Sequence, residues 1–155
     1  MSGTLVCFTV RADNFERAQY ECESLVQDGI KDNFYVESIL DLDTDNVKVV
    51  YERYTPRFTS KEQLVNFVKG RMRTPEGIMQ DIRKELDNKN TYPPTMFYNI
   101  QQLCEIGCNN MSQKDIDNWD IGNGEFNPWC TSQFSVTNLT YTDGNKLYAV
   151  FVNVE

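Results

Sequence analysis

The sequence predicts an α+β fold: a mostly antiparallel sheet of about five strands with three to four helices packed on one face. Three observations predict it. Two pairs of β-branched and aromatic-rich runs are joined by turn formers, Asp43 to Asn46 in the first and Thr142 to Asn145 in the second. Each pair reads as a hairpin, and Asp143-Gly144 is the strongest turn signal in the chain. A further apolar run, Leu5 to Val10, supplies an N-terminal strand, and the segments between strands carry apolar residues at helical spacing. Hairpins are antiparallel by construction, which leaves little place for parallel crossovers.

Taken in order, Ser2 to Arg11 is the first strand. Asp13 stands three residues before Glu16, as in a capping box, and Phe15, Ala18, Cys22, Leu25 and Val26 follow on one face up to Gly29. A helix over 13–28 is expected. Phe34 to Leu42 and Val47 to Tyr54 make the first hairpin. Thr59 or Ser60 caps a helix carrying Leu64, Phe67 and Val68, which Gly70 stops. Thr74-Pro75 opens another, with Ile78, Met79, Ile82 and Leu86 on its apolar face. After the stiff Tyr92-Pro93-Pro94 comes a helix with Phe97, Ile100, Leu103 and Cys104 inside, ended by Gly107, then a short helical turn from Ser112 to Asn118. Residues 119–131 hold two tryptophans, two glycines and a proline without period, and read as an ordered loop. Gln133 to Tyr141 and Lys146 to Val154 make the second hairpin. No repeat or linker divides the 155 residues, so one domain over 1–155 is expected. A chain of that length needs neither metal nor disulfide to hold a core.

Composition narrows the chemistry. There is no histidine, which removes Ser-His-Asp and Cys-His catalysis and His-metal sites together. Phosphate-binding glycine loops and nucleophile elbows are also missing, so a non-enzymatic protein without cofactor is expected. Five cysteines, an odd number, fit free thiols in a reducing cytoplasm. The first 25 residues show no secretory pattern, and the longest apolar run, Leu147 to Val152, is far short of the ~20 residues that span a bilayer. A cytoplasmic protein without membrane contact is the expectation.

Charge is unevenly laid out within a net −8. Residues 1–52 carry 4 basic and 11 acidic side chains, residues 53–84 carry 8 and 3, and residues 85–155 carry 3 and 9. A basic belt thus lies inside an acidic chain. Within it, Lys69, Arg71 and Arg73 lead into the helix start at Thr74, where unpaired N–H groups favour an anion. This set is a candidate site for a nucleotide or other small anion; solvated surface charge explains the same residues.

The acidic flanks are the stronger candidate. Asp41, Asp43 and Asp45 cluster at the first hairpin, and Asp115, Asp117 and Asp120 precede the aromatic loop, where Trp119, Phe126 and Trp129 lie beside Asp120 and Glu125. Exposed, these aromatics rimmed by charge have the composition of an interface hot spot; buried, the same rings cap the open end of the sheet core. Carboxylates on a rigid surface compete for the basic groove of a nucleic-acid-handling protein and speed docking. The leading expectation is therefore a binding protein or inhibitor of such a protein partner, with no direct contact to nucleic acid. An acidic, compact chain rich in Asn fits a phage-encoded inhibitor of a host or defence complex.

Two further motifs are weaker. Asp41, Asp43 and Asp45, with Glu52 at position 12 counted from Asp41, resemble a calcium loop of the EF-hand type. Its flanks read as strands rather than helices, and a turn capped by Asp side chains explains the residues more simply. Cys104, Cys108 and Cys130 offer three thiolates where structural zinc takes four ligands, so structural cysteine is expected.

Overall fold

The structure, a computed structural model, describes residues 4–29, 33–72, 74–87, 98–101, 112–121, 134–138 and 143–155. The chain forms two compact units, Met1–Arg71 together with Asp120–Glu155, and Met72–Trp119. The first holds strands β1 (Thr4–Ala12), β2 (Phe34–Asp41), β3 (Val47–Val49), β4 (Phe134–Asn138) and β5 (Lys146–Val154), with helices α1 (Phe15–Gly29) and α2 (Lys61–Arg71). The second holds α3 (Pro75–Asp87) and α4 (Gln113–Asn118), and residues 98–101 are helical as well.

The class is α+β. The sheet order is β3-β2-β5-β1-β4, and the first four of these strands pair antiparallel with one another. The first hairpin forms as expected, with Ser38 opposite Val49 and Leu40 opposite Val47. The second does not. β4 and β5 lie on opposite sides of β1, and β4 pairs with β1 in parallel, Leu5 opposite Phe134 and Thr9 opposite Asn138. Asp143-Gly144 therefore passes the end of β1 instead of turning a hairpin. Gly144 lies directly against Ala12, and Asn145 N donates to Asp13 Oδ1 at 3.2 Å. Local turn chemistry lost here to the better-buried partner: β1 is apolar on both faces and takes a strand on each edge.

Helices on a single face need the second correction. α1 covers one face, where Ala18, Cys22 and Val26 pack with Phe8, Val10, Val36, Ile39, Tyr148, Val150 and Val152. Side chains alternate along β5, so Phe151 points to the opposite face. There Phe58 stacks on Phe151 at 5.4 Å between centroids, and Phe67 of α2 meets Phe58 edge-on at 5.2 Å. Both faces are covered, which is why Tyr148 to Val152 are buried without interruption.

Helix ends follow from side-chain caps. Asn14, not Asp13, caps α1, its Oδ1 accepting from Arg17 N at 2.8 Å. Ser60 caps α2 through Gln63 N, and Gln63 reaches back to Thr59 N. Thr74 caps α3 by accepting from Gly77 N at 3.0 Å, with Pro75 in the first turn as its fixed φ requires. Ser112 and Asp115 form a reciprocal capping box at α4. In the second unit Ile78 is buried as expected, but Met79, Leu86 and Ile100 are exposed. There Asn99 is buried instead and donates to Glu85 Oε1. Phe97, Leu103 and Cys104 lie outside the described residues.

Cys7 and Cys22 are buried thiols. Burial, with the Glu23 carboxylate a lesser cause, pushes the Cys22 thiol up from 9.0 to about 12. A thiol raised in this way keeps its proton in the folded chain after the unfolded chain has lost it. Its contribution is fully present below pH 9 and is lost as pH rises toward 12. Urea unfolding between pH 9 and 11 should therefore show stability falling by up to about 1.4 kcal/mol per pH unit from this group. Cys22→Ala should flatten that slope; an unchanged slope assigns the loss to other groups.

Candidate functional site

The acidic turn at Asp41 is built for structure. Asp41 is 2% exposed, and its Oδ1 accepts from Asp43 N at 2.9 Å and Thr44 N at 3.2 Å. Its Oδ2 faces Lys146 Nζ at 3.7 Å. Asp45 takes a left-handed φ of 62°, which Asp tolerates, and its Oδ1 accepts from Lys61 N at 2.8 Å at the start of α2. Asp43 and Glu52 are exposed. Asp41 and Asp45 thus serve two separate tasks, the flanks are strands, and among the described residues no group of carboxylates or thiols is gathered to hold a metal ion. As a docking surface the trio is also reduced, because a buried Asp41 cannot meet a partner.

The second acidic set is likewise engaged. Asp115 caps α4, and hydrogen bonds from the Ser112 backbone N–H and then the Ser112 hydroxyl hold its carboxyl below the usual range. Asp117 Oδ1 accepts from Gln113 Nε2 at 2.9 Å on the exposed side of the same helix. Trp119 is 8% exposed, so its ring is core rather than hot spot. Asp120, in the first unit, pairs with Lys61 Nζ at 3.1 Å. Glu125, Phe126 and Trp129 lie outside the described residues.

The anion candidate divides between the two units. Lys69 and Arg71 close α2 in the first, and Thr74 opens α3 in the second, its hydroxyl oxygen accepting from Gly77 N. The Arg71 side chain and Arg73 lie outside the described residues, as do Cys104, Cys108 and Cys130.

A different cluster is exposed and preformed: Tyr35, Tyr51 and Tyr54. It arises from one irregularity. The β2–β5 register shifts between Val36 and Ser38, and at the same residue, on the β3 side, the Glu37 carbonyl accepts from both Val50 N and Tyr51 N. Strand pairing ends there, and Tyr51 is brought back over Tyr35. A turn closed by Tyr54 N on the Tyr51 carbonyl at 3.1 Å then sets Tyr54 beside them. Ring centroids are 5.2 Å apart for Tyr35–Tyr51, 5.3 Å for Tyr51–Tyr54 and 6.0 Å for Tyr35–Tyr54. The Tyr35 and Tyr54 hydroxyls hydrogen-bond at 2.9 Å.

That hydroxyl bond is the main reason the Tyr35 hydroxyl is held above the ordinary tyrosine range, followed by desolvation and by the charges of Glu37 and Glu155. The Tyr35 hydroxyl therefore keeps its proton at physiological pH. Glu37 is also fixed, its Oε1 accepting from Asn153 Nδ2 at 3.2 Å, and Asn153 is the cross-strand partner of Tyr35. Tyr51 and Tyr54 remain 42% exposed, and Val49 beside them equally so. The sequence reading used these tyrosines only as strand formers. The signal was present in the Tyr51-x-x-Tyr54 spacing across the hairpin from Tyr35.

No protein-family model, curated protein or solved structure matches the chain. No helix among the described residues is long and apolar enough to cross a membrane. The chain is thus an α+β protein with a fixed, exposed tyrosine cluster on its sheet-bearing unit.

Proposed function

We propose that this chain is a non-enzymatic binding protein that docks on a protein partner through the Tyr35–Tyr51–Tyr54 cluster. The observation that carries the reading is three tyrosine rings held in mutual contact by backbone and hydroxyl bonds while two of them stay exposed. Tyrosine gives large contact area at small entropic cost, and rings already fixed in place lose little more on binding. A net charge of −8 together with Glu37 and Glu155 beside the cluster favours a basic partner. A nucleic-acid-handling protein, acting through its basic groove, has that character, and occupation of the groove would inhibit it.

The test uses immobilised wild-type chain and the Tyr51→Ala/Tyr54→Ala variant on the native cell lysate at low and moderate salt. One stoichiometric basic protein, weakened by salt, should be retained by wild type and lost by the variant, with affinity down about tenfold or more. Asp115→Lys/Asp117→Lys should retain it. Capture that ignores the tyrosines, or no specific partner at all, overturns the reading. Removing the two rings forfeits their mutual contacts and the Tyr35–Tyr54 hydroxyl bond, so a cooperative melt of the variant only modestly below wild type shows that lost capture is not lost fold.

A further inference from the structure

Resting on that docking reading, we infer that the tyrosine cluster recognises arginine side chains of its partner, a guanidinium stacking on an outward ring face while the neighbouring carboxylates accept its N–H groups. Three observations lead there. The first is spacing. Centroid separations of 5.2 to 6.0 Å mean that the rings already fill one another's contact distance. Rings that enclose a compact cation must stand further apart, since it needs its own contact distance to each. No cation can enter between these rings, so contact falls on the outer face of Tyr51 or Tyr54, where a flat guanidinium can stack across the ring.

The second is the set of acceptors. Glu37 is anchored by Asn153 through Oε1, and its carboxylate acts on Tyr35 together with that of Glu155. Glu155 is placed by its own N–H, which donates to the Asn33 carbonyl at 2.8 Å. Two carboxylates within electrostatic reach of the Tyr35 hydroxyl supply acceptors for the fork of N–H donors that arginine presents and lysine lacks. The third is that Tyr35 and Tyr54 bond to each other, which occupies one hydroxyl hydrogen and leaves acceptor lone pairs but no added charge. The exposed Arg53, in the turn between Tyr51 and Tyr54, opposes a cation locally; Glu52 beside it offsets that charge.

The experiment is calorimetric titration of the full chain with an arginine–glycine repeat peptide and with the matched lysine–glycine peptide, at physiological salt. The general field of an acidic protein acts on both peptides alike, so the ratio of affinities isolates the stacking and fork geometry. Wild type should prefer the arginine peptide by about threefold or more. Tyr51→Ala/Tyr54→Ala should bring the ratio to about one, with affinity for the arginine peptide itself falling about two- to fivefold per ring. Glu37→Gln, which retains an acceptor for Asn153 and leaves the rings untouched, should weaken the arginine peptide more than the lysine peptide. Equal affinities for the two peptides on wild type, or a preference that survives loss of the rings, overturns the inference. If a protein partner is captured through the tyrosines while the peptide ratio is one, arginine recognition falls and the docking reading stands. If capture ignores the tyrosines, both fall.

Discussion

Gly144→Ala should destabilise the first unit by about 3 kcal/mol, read as a lower urea midpoint or melting temperature. A Cβ at Gly144 would stand 2.3 Å from Ala12 Cα and 2.5 Å from its N and C atoms. Those are backbone atoms of a fully buried residue paired with Lys146, so no side chain can swing away. Either β1 moves off β5 at its end or the approach to β5 is rebuilt. Gly70, in α2, is the matched control. Nothing lies within 4 Å of its would-be Cβ, and alanine there should add up to about 1 kcal/mol through helix propensity. Equal melting of Gly144→Ala and wild type would mean that the chain does not pass Ala12 this closely.

Asp41→Ala should cost about 2 kcal/mol, and Asp41→Asn clearly less. Alanine leaves Asp43 N and Thr44 N without their acceptor at the hairpin turn and leaves Lys146 facing an empty position. Asparagine keeps an oxygen for both amides and removes only the charge facing Lys146. Should both variants unfold at the same denaturant concentration, the ion pair rather than the turn is what Asp41 supplies. This also bears on any binding experiment. A charge reversal at Asp41 would abolish activity by breaking the hairpin, so Asp43, exposed on the same turn, is the position to reverse.

Much of the fold was legible in the residues, and the reasons differ by element. α1 is marked by its apolar stripe, α3 by Thr74-Pro75, α4 by Ser112 and Asp115, and the first hairpin by its Asp-rich turn. Sheet order was not legible from local pattern. Asp143-Gly144 carries every local sign of a hairpin, and only the competition for β1, decided among residues distant in sequence, separates β4 from β5. One clue was available: Leu5 to Val10 and Tyr148 to Val152 are apolar without alternation, as strands covered on both faces must be.

The candidate site was less legible. Acidic residues are counted easily, but whether a carboxylate is free depends on which amide or cation it meets, and Asp41, Asp45, Asp115 and Asp120 had each found one. Trp119 was a reasonable hot-spot residue by type and is buried in fact. The tyrosines were hidden for the opposite reason. Their meeting depends on a bulge at Glu37, a backbone irregularity that no side-chain pattern announces.

The place of β5 in the sheet governs how this chain can fold. β1, α1 and β2 follow one another in sequence, yet β1 and β2 are not neighbours; the slot between them is filled by residues 146–154. Until that segment arrives, β1 and β2 each present an unpaired edge lined with Val, Ile and Leu. Loop closure over more than a hundred residues has to precede the reward of pairing, so folding should be slow for a chain of this size. During synthesis the open slot would be the surface most prone to accept a strand from another copy.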